Sequence, residues 1–347
     1  MYKRILPVVG ALLFFVTSCK KSDPLPEVND TKPVETVPTP YIEDNSFKIV
    51  AYMPSYRDPA TVDINKYKMI THLFYAFLEP ADVADGSLKA LSQSVRFGTV
   101  SANAKANKVK FGISVSGAKT VFENIAKSSA ARTKFVTAIV DFAKRNNLDG
   151  VDMDWEYPST SLGVESADNY TLLMRELSTE LHKTGKFLSA AVTPAVYTGG
   201  IRDGIKPEVY PYIDFFNIMQ YDGQTWDKDD PNQHASYKMS VYSTDVWLNT
   251  KGLPKNKAVL GMPLYGKNAA GSSKAYREFE TAGLDITQDK VTLAGVDYWF
   301  NGINTIKLKT QLAKEQANGI MFWEFANDSN NANSLIKAAN DQLGRKY

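Results

Sequence analysis

The chain has 347 residues, with 40 Lys and Arg against 38 Asp and Glu, a formal charge of +2. That balance excludes a nucleic-acid partner bound by net positive charge. A single cysteine, Cys19, excludes an internal disulfide, and three scattered histidines with no H-E-x-x-H, phosphate loop or dinucleotide fingerprint leave no basis for a metal or cofactor.

The amino end reads as a secretory signal over residues 1–19: Lys3 and Arg4, then an apolar run from Ile5 to Val16, shorter than the ~20 residues of a membrane span. The run closes on Val16-Thr17-Ser18-Cys19, which resembles a bacterial lipobox. That resemblance implies a lipid anchor on Cys19 and a place in the bacterial cell envelope, periplasmic or surface-exposed. Residues 20–46 carry five prolines among Thr and acidic residues with no apolar periodicity, and are expected to be a tether. Residues 47–347 remain for one large α/β domain.

Within that domain short apolar segments alternate with amphipathic ones. Strands are expected at Lys48–Met53, Ile70–Leu78 and Val109–Ser116, with a helix over 92–107 between the last two. A helix with Phe135, Ile139 and Phe142 on one stripe ends at Asn146-Asn147. The fourth strand follows at Asp149. Ser166 is placed to cap a helix whose stripe is Tyr170, Leu173, Leu177 and Leu181, with Gly185 ending it. Strands at Phe187–Thr193, Ile213–Gln220 and Ala258–Leu264 follow, the last two separated by a helix over 236–251. Residues 267–300 read as an irregular excursion. A helix over 303–317, a strand at Gly319–Glu324 and a helix over 332–343 complete the chain. Eight strands alternating with helices or long connections predict a (β/α)8 barrel with no large insertion domain after the seventh strand.

The fourth strand carries the chemistry. In Asp149-Gly150-Val151-Asp152-Met153-Asp154-Trp155-Glu156-Tyr157-Pro158, three carboxylates occupy alternate positions and Val, Met and Trp lie between them. One face is wholly acidic and the other wholly apolar. Like charges about 7 Å apart repel, a strain that points to a catalytic row. A calcium loop would be polar and glycine-broken, which the interleaved large apolar residues oppose. Glu156, last in the row, falls at the carboxyl end of its strand, where barrels of this kind gather their working residues. Tyr52, Tyr75, Ser114, Tyr221, Asp222 and Trp323 fall near other strand ends. The aromatic content, 18 Tyr, 17 Phe and 5 Trp, suits either a large core or a sugar-binding cleft.

The segment D-G-x-D-x-D-x-E followed by Tyr-Pro resembles the signature of the family 18 glycoside hydrolases, the chitinases and their relatives. Tyr75-Ala76-Phe77, Ser114-Val115-Ser116-Gly117, Met219-Gln220-Tyr221-Asp222 with Trp226 beyond it, Gly261-Met262-Pro263-Leu264-Tyr265-Gly266 and the Gly319–Trp323 strand are similar to that family's flanking motifs, in order. The resemblance implies substrate-assisted hydrolysis of N-acetylglucosamine glycans. Glu156 would be the general acid and then the base. Asp154 would hold the acetamido N–H and share a proton with Asp152, and Tyr221 would donate to the acetamido oxygen. It further implies that Tyr52 and Ser114 hydrogen-bond Asp152, that Asp222 supports the sugar or Tyr221, that Trp323 forms the platform and that Trp226 stacks at a neighbouring subsite. Tyr52, Tyr75, Ser114, Asp222, Trp226 and Trp323 are accordingly the expected substrate-binding set. The same row serves an endo-β-N-acetylglucosaminidase or a hydrolase of peptidoglycan-type glycans. A lectin on the same barrel is the non-catalytic alternative. Two departures stand out. Ser116 and Ala118-Lys119 replace a frequent Gly-Gly-Trp run, and residues 267–300 are short for the α+β insertion that walls many such clefts, so a shallow, open groove and internal cleavage are expected.

Overall fold

The computed structural model describes residues 41–163 and 165–347; Cys19 and residues 20–40 of the expected tether lie outside them. In chain order the elements are β1 (Lys48–Pro54), β2 (His72–Leu78), α1 (Ser94–Ala106), β3 (Lys110–Ser116), α2 (Lys119–Lys127), α3 (Ser129–Arg145), β4 (Gly150–Asp154), α4 (Ala167–His182), β5 (Phe187–Val192), α5 (Gly200–Asp203), β6 (Phe215–Ile218), α6 (Tyr237–Asp245) and β7 (Ala258–Pro263). After these come β8 (Tyr265–Lys267), β9 (Ser273–Ala275), α7 (Tyr276–Thr281), β10 (Lys290–Leu293), β11 (Val296–Trp299), α8 (Ile303–Gln316), β12 (Gly319–Trp323) and α9 (Leu335–Leu343).

Strands β1 to β7 and β12 close into an all-parallel barrel in the order β1-β12-β7-β6-β5-β4-β3-β2. Alternation along each strand separates two cores. Val151, Met153 and Trp155 face outward into the helical layer, where Trp155 stacks on Phe122 at 5.4 Å. Trp247 is also buried there and donates its indole N–H to Thr193 O at 3.0 Å. The inner face is filled from the bottom by His72, Phe74, Phe187 and Phe215. Gly150 lies beneath Asp152 on this face, and a Cβ there would stand 2.3 Å from the Phe187 ring. The glycine of the D-G pair thus makes room for the aromatic plug that closes the barrel floor.

Three sequence expectations change. The stretch after β7 is ordered rather than irregular: β8 to β11 form a four-stranded antiparallel sheet in the order β10-β11-β8-β9, with α7 alongside. It is a small α+β addition, built because Phe279, Tyr298 and Phe300 supply it with a core of its own. Ser166 does not cap α4 with its hydroxyl, which accepts the N–H of Ser159 at 3.0 Å instead. Residues 41–46, read as the end of the tether, pack on the bottom of the barrel. Tyr41 stacks on His182 at 3.9 Å and Asp44 pairs with Lys110 at 2.6 Å.

Candidate active site

The carboxylate row rises along β4 from the interior to the open end of the barrel. Asp152 is completely buried. Its Oδ2 accepts from Tyr52 Oη at 2.9 Å and Ser114 Oγ at 2.8 Å. Its Oδ1 accepts from Ser189 Oγ at 2.6 Å and Asn217 Nδ2 at 3.1 Å. Register explains the convergence, since Ser114 and Ser189 stand opposite Asp152 on the two neighbouring strands. Burial raises the Asp152 pKa, and the hydrogen bonds from Ser189, Ser114, Tyr52 and Asn217 offset part of that rise.

Asp154, one step higher, is buried and has no hydrogen-bond partner at Oδ1 among the described residues. Burial first, and then the charges of Glu156 and Asp152, push its carboxyl well above the usual range. Glu156 sits at the mouth, exposed on its solvent side. Enclosure by the cleft walls raises its pKa, the Tyr157 hydroxyl lowers it and the Asp222 charge raises it, with a net upward shift. The row is graded: the lowest carboxylate is held by four donors, the middle one has a free oxygen, and the uppermost is presented to solvent in a form that keeps its proton to higher pH.

Tyr221 follows β6 and is buried beside the row. Its hydroxyl meets no oxygen or nitrogen among the described residues; its contact is Met321 Sδ at 3.9 Å. Burial, then the charges of Asp154, Asp222 and Glu156, keep this phenol protonated far above neutrality. Gly261 permits its position, since a Cβ there would stand 3.2 Å from the Tyr221 ring and 2.4 Å from Ile218 O. Asp222 adopts φ +60° and turns its carboxylate into the cleft. Partial burial opposes its ionisation, but His234, Lys267 and Tyr265 hold it below the ordinary carboxylate range. Trp323, at the end of β12, is stacked against Phe77 at 5.8 Å and forms the floor.

Asp154, Glu156, Tyr157, Tyr221, Asp222 and Trp323 line one cavity of about 240 Å³. The depression continues on both sides, past Tyr265, Lys267 and Glu324 in one direction and past Thr193, Tyr197 and Gly200 in the other.

The rest of the expected set is placed differently. Tyr52 and Ser114 are buried and hydrogen-bond Asp152, as the resemblance implied, rather than binding sugar, and Tyr52 also packs its ring against Trp323 at 5.6 Å. Tyr75 points away altogether. It alternates outward from Phe74 and Ala76, packs on Phe97 at 5.3 Å and donates to Gln93 O at 3.1 Å. Trp226 does not line the cleft; its indole N–H donates to Val196 O at 3.3 Å and its ring lies against Tyr242 at 5.2 Å, anchoring a loop. The sequence reading missed Ser189 and Asn217 on Asp152, and His234, Tyr265 and Lys267 on Asp222. Strand alternation could have found Ser189 and Asn217, polar residues on the inward faces of β5 and β6. Nothing local marks His234.

A family model described as glycosyl hydrolases family 18 matches residues 48–328. The chain belongs to glycosyl hydrolase family 18. Among curated relatives, a probable chitinase of Drosophila melanogaster is 27% identical over 70% of this chain, and a probable endochitinase of Caenorhabditis elegans is 28% identical over 65% of it. The chain spans only 12% and 40% of those two proteins. A class V chitinase of Medicago truncatula is 26% identical, with 85% of this chain and 89% of the plant protein aligned. Among solved structures, the family 18 chitinase ChiB of Flavobacterium johnsoniae superposes with a TM-score of 0.68 at 25% identity, covering 86% of this chain and 94% of that one. A chitinase of Bacteroides thetaiotaomicron has the same fold, with a TM-score of 0.73 at 23% identity over 87% of this chain and 99% of that one. The family's barrel therefore accounts for the described residues nearly end to end.

Proposed function

We propose that this family 18 chain is a retaining, substrate-assisted hydrolase of β-1,4-linked N-acetylglucosamine chains, a chitinase-type enzyme that cuts internally. One observation carries the reading: an acceptor with no partner among the described residues, Asp154 Oδ1, lies in the same cavity as a buried hydroxyl donor, Tyr221 Oη, whose only hydrogen-bonding contact among those residues is the Met321 thioether. An acetamido group offers the complementary N–H and C=O. Polarised by this pair, the acetamido oxygen attacks the anomeric carbon of its own sugar as Glu156 protonates the departing glycosidic oxygen. A C–O bond forms, another breaks, and an oxazolinium ion results; family 18 is a known exception to the two-carboxylate scheme. The ionised Glu156 then takes a proton from water, which attacks the same carbon as the C–O bond to the acetamido oxygen breaks, regenerating the acetamido group and restoring the configuration. Asp152 and Asp154 share a proton and titrate as a unit, while the Asp222 charge raises the Glu156 pKa and helps it hold the proton it must donate to higher pH.

The substrate class has support in the relatives, since a family 18 chitinase of Cycas revoluta with a TM-score of 0.72 was solved with (GlcNAc)3. Internal cleavage rests on the groove continuing past the cavity on both sides. The lipid anchor at Cys19 and a bacterial cell-envelope location rest on the sequence alone, and mass analysis of the mature amino terminus tests them.

The decisive experiment is product analysis on N-acetylglucosamine oligomers, chitin and a high-mannose glycopeptide, with Glu156→Gln as control. Internal cuts in the oligomers that the variant abolishes, with binding kept, support the proposal. Cleavage of the glycopeptide alone would replace the substrate. Binding without turnover on any of them would make the protein a lectin.

A further inference from the structure

The two flanks of the central cavity differ in chemistry. One is walled by Arg57, Lys267 and Lys274, each paired with a carboxylate: Glu324 at 2.9 Å, Asp222 at 2.7 Å and Glu278 at 3.0 Å. The other, a depression of about 390 Å³, is walled by Tyr157, Pro194, Tyr197 and Ile201. A single exposed tyrosine asks for no explanation on an ordinary surface. Tyr197 is 58% exposed, but its seat is not ordinary. Three side chains hold the loop that carries it: Trp247 Nε1 donates to Thr193 O at 3.0 Å, Ser243 Oγ to Pro194 O at 2.7 Å and Trp226 Nε1 to Val196 O at 3.3 Å. The same loop locks onto the one that follows Glu156. The Thr160 N–H donates to Gly200 O at 3.1 Å, and a Cβ on Gly200 would stand 2.1 Å from Ser161 Oγ. The hydrogen bond of the Tyr197 hydroxyl, to Gln224 O, is a long one at 3.5 Å.

The lining residues give the apolar flank a direction. Trp323, the floor of the central cavity, also lines the charged flank and not the apolar one, whereas Tyr157, next to Glu156, lines the apolar flank and not the charged one. With the reacting sugar over Trp323 and its bond cut at Glu156, the departing sugars lie on the Tyr197 side. A pyranose presents a face of C–H groups that packs on an aromatic face, and a platform fixed before binding spares the cost of ordering its loop. We propose that Tyr197 is a specificity-determining residue: its ring seats a sugar on the leaving-group side and so sets how far the chain runs past the bond that is cut. This rests on the hydrolase reading above. The contact needs the ring and not the hydroxyl.

Kinetics on the full chain test it with an N-acetylglucosamine hexamer and with the N-acetylglucosamine disaccharide fluoride, whose leaving group places no sugar beyond the bond. Tyr197→Ala should raise KM for the hexamer about three- to tenfold, the range for one lost ring contact, with kcat changed less than about twofold. For the fluoride the rise should be smaller by at least about threefold. Tyr197→Phe, which keeps the ring, should match wild type on both. Hydrolysis of the hexamer in ¹⁸O-labelled water shows which bond is cut, and Tyr197→Ala should move the cut toward the reducing end, with fewer sugars on the leaving-group side. An equal loss on both substrates, a defect in Tyr197→Phe equal to that of Tyr197→Ala, or a cut that does not move would overturn the proposal. If the wild-type protein turns over no oligomer, the hydrolase reading fails, and calorimetry of hexamer binding decides the role of Tyr197: a Kd raised about three- to tenfold by Tyr197→Ala keeps the platform, and an unchanged Kd removes it.

Discussion

Ser189 is the sharpest test of how the buried carboxylate works, because replacing it by alanine removes a single oxygen from a packed strand. Ser189 Oγ donates to Asp152 Oδ1 at 2.6 Å and is one of four donors on that carboxylate. A hydrogen bond to a charged acceptor contributes about 1.5–3 kcal/mol, and one pKa unit corresponds to about 1.4 kcal/mol, so complete loss would raise the Asp152 pKa by about one to two units. With Tyr52, Ser114 and Asn217 still in place, the lower end, about one unit, is expected. The sign follows from the chemistry: the hydroxyl stabilises the ionised form, so its removal raises the pKa. The Asp152–Asp154 pair must carry negative charge for catalysis, so the acidic limb of the kcat/KM profile moves to higher pH. The basic limb, which reports protonated Glu156, stays in place. The assay is hydrolysis of a chromogenic N-acetylglucosamine oligomer across the pH range. An acidic limb that does not move, or moves to lower pH, refutes the reasoning.

Asp154→Asn should trade activity for stability: its folded pKa lies well above the usual value, so the folded state binds more protons than the unfolded one and stability falls as pH rises above about 4. Thermal melts should find the variant more stable than wild type near neutral pH, with the difference vanishing toward pH 4; a constant difference would count against this. Tyr221→Phe should cost about 10²–10³ in kcat, the range for a preorganised donor to developing charge, while Tm stays level or rises, because among the described residues the hydroxyl's hydrogen-bonding contact is only a thioether. A kcat near that of wild type would remove Tyr221 from the chemistry. Tyr75→Phe should leave kcat and KM unchanged and lower stability by about 0.5–1.5 kcal/mol through loss of its hydrogen bonds to Ser92 O and Gln93 O; a kinetic defect at normal stability would return Tyr75 to the site.

The sequence by itself determined the barrel, because eight apolar segments separated by helical stripes have few other ways to bury both faces of a parallel sheet. It also determined which face of β4 is acidic, since alternation is a local property of a strand. Glu156, Asp154 and Asp152 were legible for that reason, as was the outward, packing role of Met153 and Trp155. Alternation was also the signal overlooked at Tyr75: it lies next to inward Phe74 and Ala76, so it had to face the helices.

Only the tertiary structure decided who touches whom across the barrel. Ser189 and Asn217 meet Asp152 because strand stagger sets their heights, and stagger is a property of the closed sheet rather than of any one strand. Trp226 follows the Tyr-Asp motif at the expected distance, yet a loop that turns back on Val196 takes it away from the cleft. His234, Tyr265 and Lys267 come from two separate connections and converge on one carboxylate. The excursion after β7 became a small sheet because its aromatic residues, spread over more than 20 positions, find one another only when the chain folds back. Periodicity assigns a face to each side chain, but the partner on that face depends on contacts distant in sequence, which no local pattern records.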